Sequence, residues 1–262
     1  MSFIQIITLS VIQGITEFLP ISSSGHLAIL QVFWQLEEPP IAFDVILHFG
    51  TLGAILAVFY QEIKAILKNK NWKIIKLVII GTIPVSVFGL LFKSTIENQF
   101  SSLKFIGFAF LITGLFLLLT KFIKTPNNEL SLQAPGEPEN MSEISWVDAL
   151  IIGLAQTVAL FPGISRSGMT IAAGLFRKLK PETAYEFSFL LAIAAILGAV
   201  ILQIPNLTQQ EQNNYFIYAF GALVAFLTGI ISLKALPRIL KQGKLFWFSP
   251  YLFILGLIIL II

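Results

Sequence analysis

Two short segments of the chain repeat one another and hold most of the side chains that could do chemistry. They are 13–25 and 156–168, which lie 143 residues apart and are identical at six of thirteen positions without a gap. Where they differ, the first carries Glu17 and Ser23 and is followed by His26, whereas the second carries Arg166. Such an internal repeat indicates two related halves of the fold.

The first segment supplies candidates for nucleophilic and acid–base chemistry. Glu17 is an ionisable side chain in an apolar stretch, where charge is costly and therefore indicates function. Gln13 lies one helical turn earlier on the same face. Ser23 precedes His26 by three residues, a spacing that lets a hydroxyl approach an imidazole across one turn. The pattern predicts a serine nucleophile activated by an imidazole or a carboxylate.

The flanking serines of the first segment have a structural interpretation. We expect Ser22 or Ser24 to cap the helix that follows Pro20. The repeat keeps serine at both flanking positions, while the middle position changes from Ser23 to Arg166. A capping role therefore fits Ser23 poorly, and a chemical role fits it better.

The second segment is typical of an anion-binding site. It places Arg166 among glycines and hydroxyls at the expected start of a helix, where unpaired N–H groups favour an anion. The guanidinium suits bidentate contact with phosphate oxygens. A structural ion pair of Arg166 with Glu17 or Asp44 is the alternative, and both roles are compatible. The expected phosphate ligands are Ser165, Arg166, Ser167 and Thr170.

Two other acids occupy equivalent positions at the start of the first span in each half. Ala-Phe-Asp ends at Asp44, and Ala-Tyr-Glu ends at Glu186. We expect both to support the site by structural pairing rather than by catalysis. His48, one turn after Asp44, is expected to be a hydrogen-bonded core residue.

The composition is that of a membrane protein. Of the 262 residues, 56% are hydrophobic and 12% are charged, and the mean hydropathy is +0.86, too apolar for a soluble domain. The cations lie in membrane-flanking loops rather than in one stripe, so no nucleic-acid partner is expected. There is no cysteine for a disulfide or thiolate site. We expect no removable signal peptide, because the N-terminus lacks a basic n-region.

The apolar runs predict six full spans and two interrupted segments. Segments 3–36 and 146–179 contain proline and Ser/Gly clusters, and such backbone is tolerated at membrane depth only inside protein or along a wet cavity. We therefore predict two re-entrant helical hairpins; eight or more ordinary spans are the alternative. The expected spans are 41–60, 74–92, 103–123, 185–204, 214–234 and 245–262.

The positive charges indicate how these elements are oriented. Fourteen of the seventeen Lys and Arg residues fall on one side of this topology, which the positive-inside rule makes cytoplasmic. Three spans per half reverse the orientation, so the hairpin tips meet near the midplane. The predicted fold is an all-α integral membrane protein, an inverted repeat of two halves, each a re-entrant helical hairpin plus three transmembrane helices. A flexible cytoplasmic linker, 125–144, joins halves 1–124 and 145–262.

Segments 17–26 and 162–170 closely resemble the motifs of the bacterial undecaprenyl-diphosphate phosphatases of the bacitracin-resistance type. The resemblance covers essentially the full length, including 43–44, 50–51 and 186–189. It implies hydrolysis of undecaprenyl diphosphate to undecaprenyl phosphate, which recycles the lipid carrier for peptidoglycan synthesis and confers bacitracin resistance. The implied location is the bacterial plasma (inner) membrane, and the first hairpin's orientation predicts a site that opens to the outer side.

The resemblance also bears on a metal cofactor. The family pattern usually has Glu or Gln four residues before the motif glutamate, and here that residue is Gln13. Glu17 is therefore the only carboxylate in the motif, which weakens any two-carboxylate metal site. Because family members use divalent cations, Mg²⁺ or Ca²⁺ stays an open expectation, with Glu17 as its candidate ligand.

Both interpretations together predict a mechanism. Arg166 holds the terminal phosphoryl group, Ser23 is the leading nucleophile, and Glu17 or His26 activates it. His26 is alternatively the acid for the leaving phosphate, and direct attack by water is the alternative to Ser23. The expected supporting residues are Gln13, Ser22, Ser24, Asp44 and Glu186.

A rival function uses the same architecture. Secondary transporters also place broken helices of an inverted repeat at the midplane, so a transporter or flippase of a phosphorylated lipid is the alternative. A transporter has little need for Ser, His, Glu and Arg together, which favours the enzyme. The sequence leaves the oligomeric state open, with a homodimer as one assembly.

Overall fold

The computed structural model describes residues 1–36, 41–123, 141, 143–207 and 215–262. These residues form α-helices and short 3-10 turns, with no β-strand among them, so the predicted all-α class is confirmed. The 3-10 turns are Thr120–Phe122 and Leu245–Phe248. The helices are α1 Phe3–Phe18, α2 Ser23–Phe33, α3 Ile41–Val58, α4 Tyr60–Lys68, α5 Trp72–Leu91, α6 Lys93–Gln99, α7 Leu103–Leu119, α8 Trp146–Val158, α9 Arg166–Phe176, α10 Pro181–Leu207, α11 Tyr215–Lys241 and α12 Ser249–Ile261.

Several of these helices can cross a bilayer, as expected for a multi-pass membrane protein. Four in the described part of the chain are long and apolar enough: Trp72–Leu91, Leu103–Phe122, Pro181–Leu202 and Phe216–Lys241. The predicted span 41–60 corresponds to α3, and α4 continues from it after a bend of 67°. The predicted span 245–262 is a shorter apolar helix, Leu245–Ile261.

The two interrupted segments each form a pair of short helices, and these helices pack on each other, α1 on α2 and α8 on α9. With 16, 11, 13 and 11 residues, each is shorter than the roughly 20 residues that a span needs. Proline explains the first break, since Leu19 precedes Pro20 and takes extended backbone there. In the second break, Gly163 follows Pro162 and has φ +91°.

Each of these helix pairs, called hairpins below, also packs on a helix from the opposite half of the chain. α1 lies against α11, and α8 lies against α5. Small residues let both pairs approach closely: Gly14 faces the carbonyl of Ala225, and Gly153 faces the carbonyl of Gly81. α3 packs on α10 and α11, and α7 packs on α12. The two breaks are thereby brought into the interior.

The predicted linker 125–144 lies mostly outside the described residues. Of its described residues, Met141 and Ile144 are buried in the hydrophobic core. That core surrounds the breaks and includes the fully buried rings of Phe18, Phe110 and Phe189. The two breaks therefore pack against an apolar core.

Candidate active site

Glu17 lies at the end of α1, with Gln13 one turn before it. The amide Nε2 of Gln13 donates to Glu17 Oε2 at 3.2 Å. Both residues are buried, at 0% and 9% exposed. A buried carboxylate is stable only with charged or hydrogen-bonding partners, so the groups around Glu17 define the site.

Arg166, the first residue of α9, is the charged partner. Its Nη2 lies 2.7 Å from Glu17 Oε1, and its guanidinium lies over the ring of Phe189 at 5.7 Å. The two repeated motifs are therefore in direct contact, as the sequence predicted, and the ion pair between Glu17 and Arg166 is present. The second guanidinium nitrogen, Nη1, is buried without a hydrogen-bond partner in the described part of the chain.

Ser23, the first residue of α2, contacts the same carboxylate. Its hydroxyl donates to Glu17 Oε2 at 2.6 Å, and the residue is 8% exposed. A hydroxyl on a carboxylate oxygen is the arrangement of a nucleophile and its base. Of the two activating groups that the sequence allowed, the structure places Glu17 at the hydroxyl.

His26 has other partners. Its Nδ1 donates to the carbonyl of Ser22 at 2.7 Å, and its Nε2 lies 2.6 Å from the hydroxyl of Tyr251. Because a carbonyl only accepts, the neutral ring carries its proton on Nδ1, and Nε2 accepts from the tyrosine. Both ring nitrogens therefore bind groups other than Ser23, contrary to the expectation from their spacing.

His48 of α3 stands beside Glu17 instead. Its Nε2 is 3.7 Å from Glu17 Oε2, and its Nδ1 donates to the carbonyl of Asp44 at 2.8 Å. We expected His48 to be a core residue, and neither repeated motif contains it. The only signal in the sequence was its position one turn after Asp44.

Asp44 links α3 to the first hairpin. Both of its carboxylate oxygens accept from Nε2 of Gln31 in α2, at 3.0 and 2.9 Å. Glu186, its counterpart in the second half, has Glu62 and Glu182 as charged neighbours. The two acids that echo each other in the sequence thus have different surroundings.

Matching serines cap the helices of both hairpins. Ser22 Oγ accepts from the backbone N–H of Gly25 at 3.4 Å, and Ser165 Oγ accepts from that of Gly168 at 3.1 Å. Ser24 lies beside the first cap, with its Oγ 3.3 Å from that of Ser22. The capping role expected for Ser22 or Ser24 therefore belongs to Ser22.

The hydroxyls expected to bind phosphate lie beside Arg166 but already bond within the protein. Ser167 Oγ donates to the carbonyl of Leu19 at 3.1 Å. Thr170 Oγ1 lies 2.6 Å from Ser188 Oγ and donates to the carbonyl of Arg166 at 2.8 Å. These bonds fix the start of α9 against the first hairpin and against α10.

The surroundings of Glu17 offer few ligands for a divalent cation. Glu17 is flanked by the guanidinium of Arg166, which repels a dication, and its other oxygen accepts from Ser23. Groups of three or more His, Asp or Glu side chains at metal-binding distances do not occur among the described residues. Because Mg²⁺ and Ca²⁺ take about six or more oxygen ligands, the described residues do not fit a cation held by the protein alone.

Known proteins match the chain over nearly its whole length. The "Undecaprenyl-diphosphatase" of Carboxydothermus hydrogenoformans is 40% identical over 100% of this chain and 98% of its own. The protein of the same name from Thermosipho africanus is 42% identical over 96% and 97%. The "Undecaprenyl-diphosphatase 4" of Bacillus thuringiensis is 41% identical over 99% and 97%. Residues 6–258 match the family described as Bacitracin resistance protein BacA, and the chain belongs to that family.

Proposed function

We propose that this protein hydrolyses undecaprenyl diphosphate to undecaprenyl phosphate and inorganic phosphate. Relatives that share its full length carry the name of this activity. One observation carries the proposal: Ser23 and Arg166, from opposite halves of the chain, meet on the buried carboxylate of Glu17. A nucleophile, a base and a fixed cation are the groups that phosphoryl transfer requires. The reaction recycles the lipid carrier of peptidoglycan synthesis, which links it to bacitracin resistance.

The terminal phosphoryl group binds at the start of α9. Nη1 of Arg166, which has no hydrogen-bond partner among the described residues, offers a buried donor, and the N-terminus of α9 adds backbone N–H groups. Ser165, Ser167 and Thr170 hold this helix start in place and line the phosphate site. In the transition state, Arg166 stabilises the charge that spreads over the phosphoryl oxygens.

The chemical steps follow from the contacts of Ser23. Its oxygen attacks the terminal phosphorus while Glu17 Oε2, at 2.6 Å, accepts the hydroxyl proton. The bond to the bridging oxygen breaks, and undecaprenyl phosphate leaves as an anion, while Nε2 of His26 keeps accepting from the hydroxyl of Tyr251. Water then hydrolyses the phosphoserine, which releases phosphate and restores Ser23.

The proposed architecture is the inverted repeat of halves 1–124 and 145–262, with 125–144 as the cytoplasmic linker. Reciprocal packing supports it, since α1 lies on α11 while α8 lies on α5. The tips meet near the midplane of the bacterial plasma (inner) membrane, and the site opens to its outer side. A homodimer is compatible with this arrangement.

The transporter or flippase is the less favoured function. Transport needs a binding site and two accessible states, whereas a serine hydroxyl on a carboxylate beside an arginine serves bond cleavage. The relatives' names point the same way.

Phosphate release in detergent tests the proposal, because transport cannot occur there. We expect the purified protein to release inorganic phosphate from undecaprenyl diphosphate. Ser23→Ala should lose nearly all turnover, while Ser101→Ala, at an exposed serine between α6 and α7, keeps it. Absence of phosphate release by the unmodified protein would overturn the proposed function. Substantial activity in Ser23→Ala would exclude the serine nucleophile and favour direct attack by water.

A further inference from the structure

The two histidines differ in what their Nε2 atoms face. In both, Nδ1 donates to a backbone carbonyl one turn earlier, that of Ser22 for His26 and that of Asp44 for His48. In its neutral form each ring therefore presents a lone pair on Nε2. In His26 this lone pair lies 2.6 Å from the hydroxyl of Tyr251. In His48 it lies 3.7 Å from Glu17, beyond hydrogen-bonding distance.

His48 is also held in place, and its side chain is more exposed than that of Glu17. Its backbone carbonyl accepts from Thr51 Oγ1 at 2.9 Å, and Gln31 ties the neighbouring Asp44 to α2. The side chain of His48 is 30% exposed, compared with 7% for Glu17. A fixed imidazole at the edge of a buried site can receive a water molecule that the interior excludes.

The proposed two-step reaction needs a second base. In the first step Glu17 accepts the proton of Ser23, so it enters the second step protonated and cannot deprotonate water. Its proton is needed again, because the serine oxygen must be protonated as it leaves phosphorus. His48 Nε2 and Ser23 Oγ both flank the same oxygen, Glu17 Oε2, at 3.7 and 2.6 Å.

We propose that His48 is the general base that activates water for hydrolysis of the phosphoserine at Ser23. The inference rests on the serine nucleophile of the proposed function. The water oxygen bonds to phosphorus as its proton moves to His48 Nε2. The bond from phosphorus to Ser23 Oγ breaks, and that oxygen takes the proton from Glu17. Phosphate leaves, and His48 returns its proton to solvent through its exposed edge.

His48→Gln separates the two steps. With undecaprenyl diphosphate labelled in its terminal phosphate, we expect a burst of one undecaprenyl phosphate per protein, followed by turnover slowed about 10²-fold. Labelled phosphate should stay bound to the protein after denaturation and should map to Ser23. Added imidazole should speed its release from His48→Ala. His26→Gln serves as the histidine control and should trap no label.

The possible results distinguish failure of the His48 inference from failure of the proposed function. If the unmodified protein releases no phosphate, the proposed function fails. If label persists in the double variant Ser23→Ala/His48→Gln, the nucleophile is another residue. If His48→Gln turns over normally, or is slow without a burst or trapped label, His48 is not the base for the second step. Thermal unfolding in detergent checks that His48→Gln and His48→Asn fold. Either folded variant is enough to test whether His48 is the base for the second step.

Discussion

The two hairpin tips are capped in the same way by a serine, and they differ in the residue that follows this serine. Ser22 and Ser165 each accept from the backbone N–H of a glycine three residues later. Between cap and glycine, the first tip carries Ser23 and the second Arg166, and both reach Glu17, through Oε2 at 2.6 Å and Oε1 at 2.7 Å. The repeat therefore supplies one local scaffold twice, and the residue after the cap decides whether it presents a nucleophile or a cation.

The backbone of the two tips differs as well. Ser22 has φ +68°, whereas its counterpart Ser165 has φ −78°. The second tip places its positive φ on Gly163, where no Cβ is strained. A non-glycine residue in this region is held at a cost of about 1–3 kcal/mol. The strained residue directly precedes Ser23, so the first tip stores strain where the reaction is proposed to start.

After loss of the Ser23 hydroxyl, the largest expected effect comes from removing the cation of the second tip. Arg166→Ala should lower turnover about 10²–10³-fold, because the phosphoryl oxygens lose their fixed charge. Phosphate release by purified protein measures it. Arg177→Ala is the matched control, since Arg177 directly follows the same helix and pairs with Asp148 at 2.6 Å but has a side chain that is 42% exposed. Equal activities of the two variants would contradict the role of Arg166 as the cation of the second tip.

Loss of Glu17, the acid of the first tip, should lower turnover almost as much. The equivalent position in the second tip is Leu160. Glu17→Gln keeps the shape but removes the base for Ser23 and the charge that pairs with Arg166. We expect turnover to fall about 10²-fold. Glu97→Gln, in an exposed pair with Lys93 at 3.8 Å, should leave turnover unchanged. Near-normal activity of Glu17→Gln would assign Glu17 a structural role only.

Much of this site could be predicted from local sequence, and part of it could not. The apolar run lengths and Pro20 indicate helices and breaks, because these are local effects of burial and backbone geometry. The repeat indicated that Glu17 and Arg166 meet. The partners of the histidines come from packing instead: His26 binds Tyr251, 225 residues away, and His48 reaches Glu17 from α3. No periodicity within a motif encodes such contacts.

The glycines that follow the two caps should respond unequally to alanine. A Cβ on Gly25 would lie 2.7 Å from Phe110 Cζ and 2.8 Å from Gly163 Cα, whereas one on Gly168 would lie 3.1 Å from the nearest atom, Ser165 Cβ. Overpacking of this kind costs about 1–3 kcal/mol. We expect Gly25→Ala to lower the Tm in detergent more than Gly168→Ala does. Equal shifts would show that the tips are packed alike.

The smallest effect should come from the capping residues, and its sign tests the strain at Ser22. Replacing a serine cap with glycine costs only a few tenths of a kcal/mol, so Ser165→Gly should lower the free energy of unfolding slightly. Ser22→Gly loses a longer hydrogen bond, 3.4 Å against 3.1 Å, and relieves φ +68°. We therefore expect Ser22→Gly to raise the Tm in detergent while Ser165→Gly lowers it. Should both substitutions lower the Tm equally, the first tip holds no strain, and the two scaffolds differ only in the residue that follows the cap.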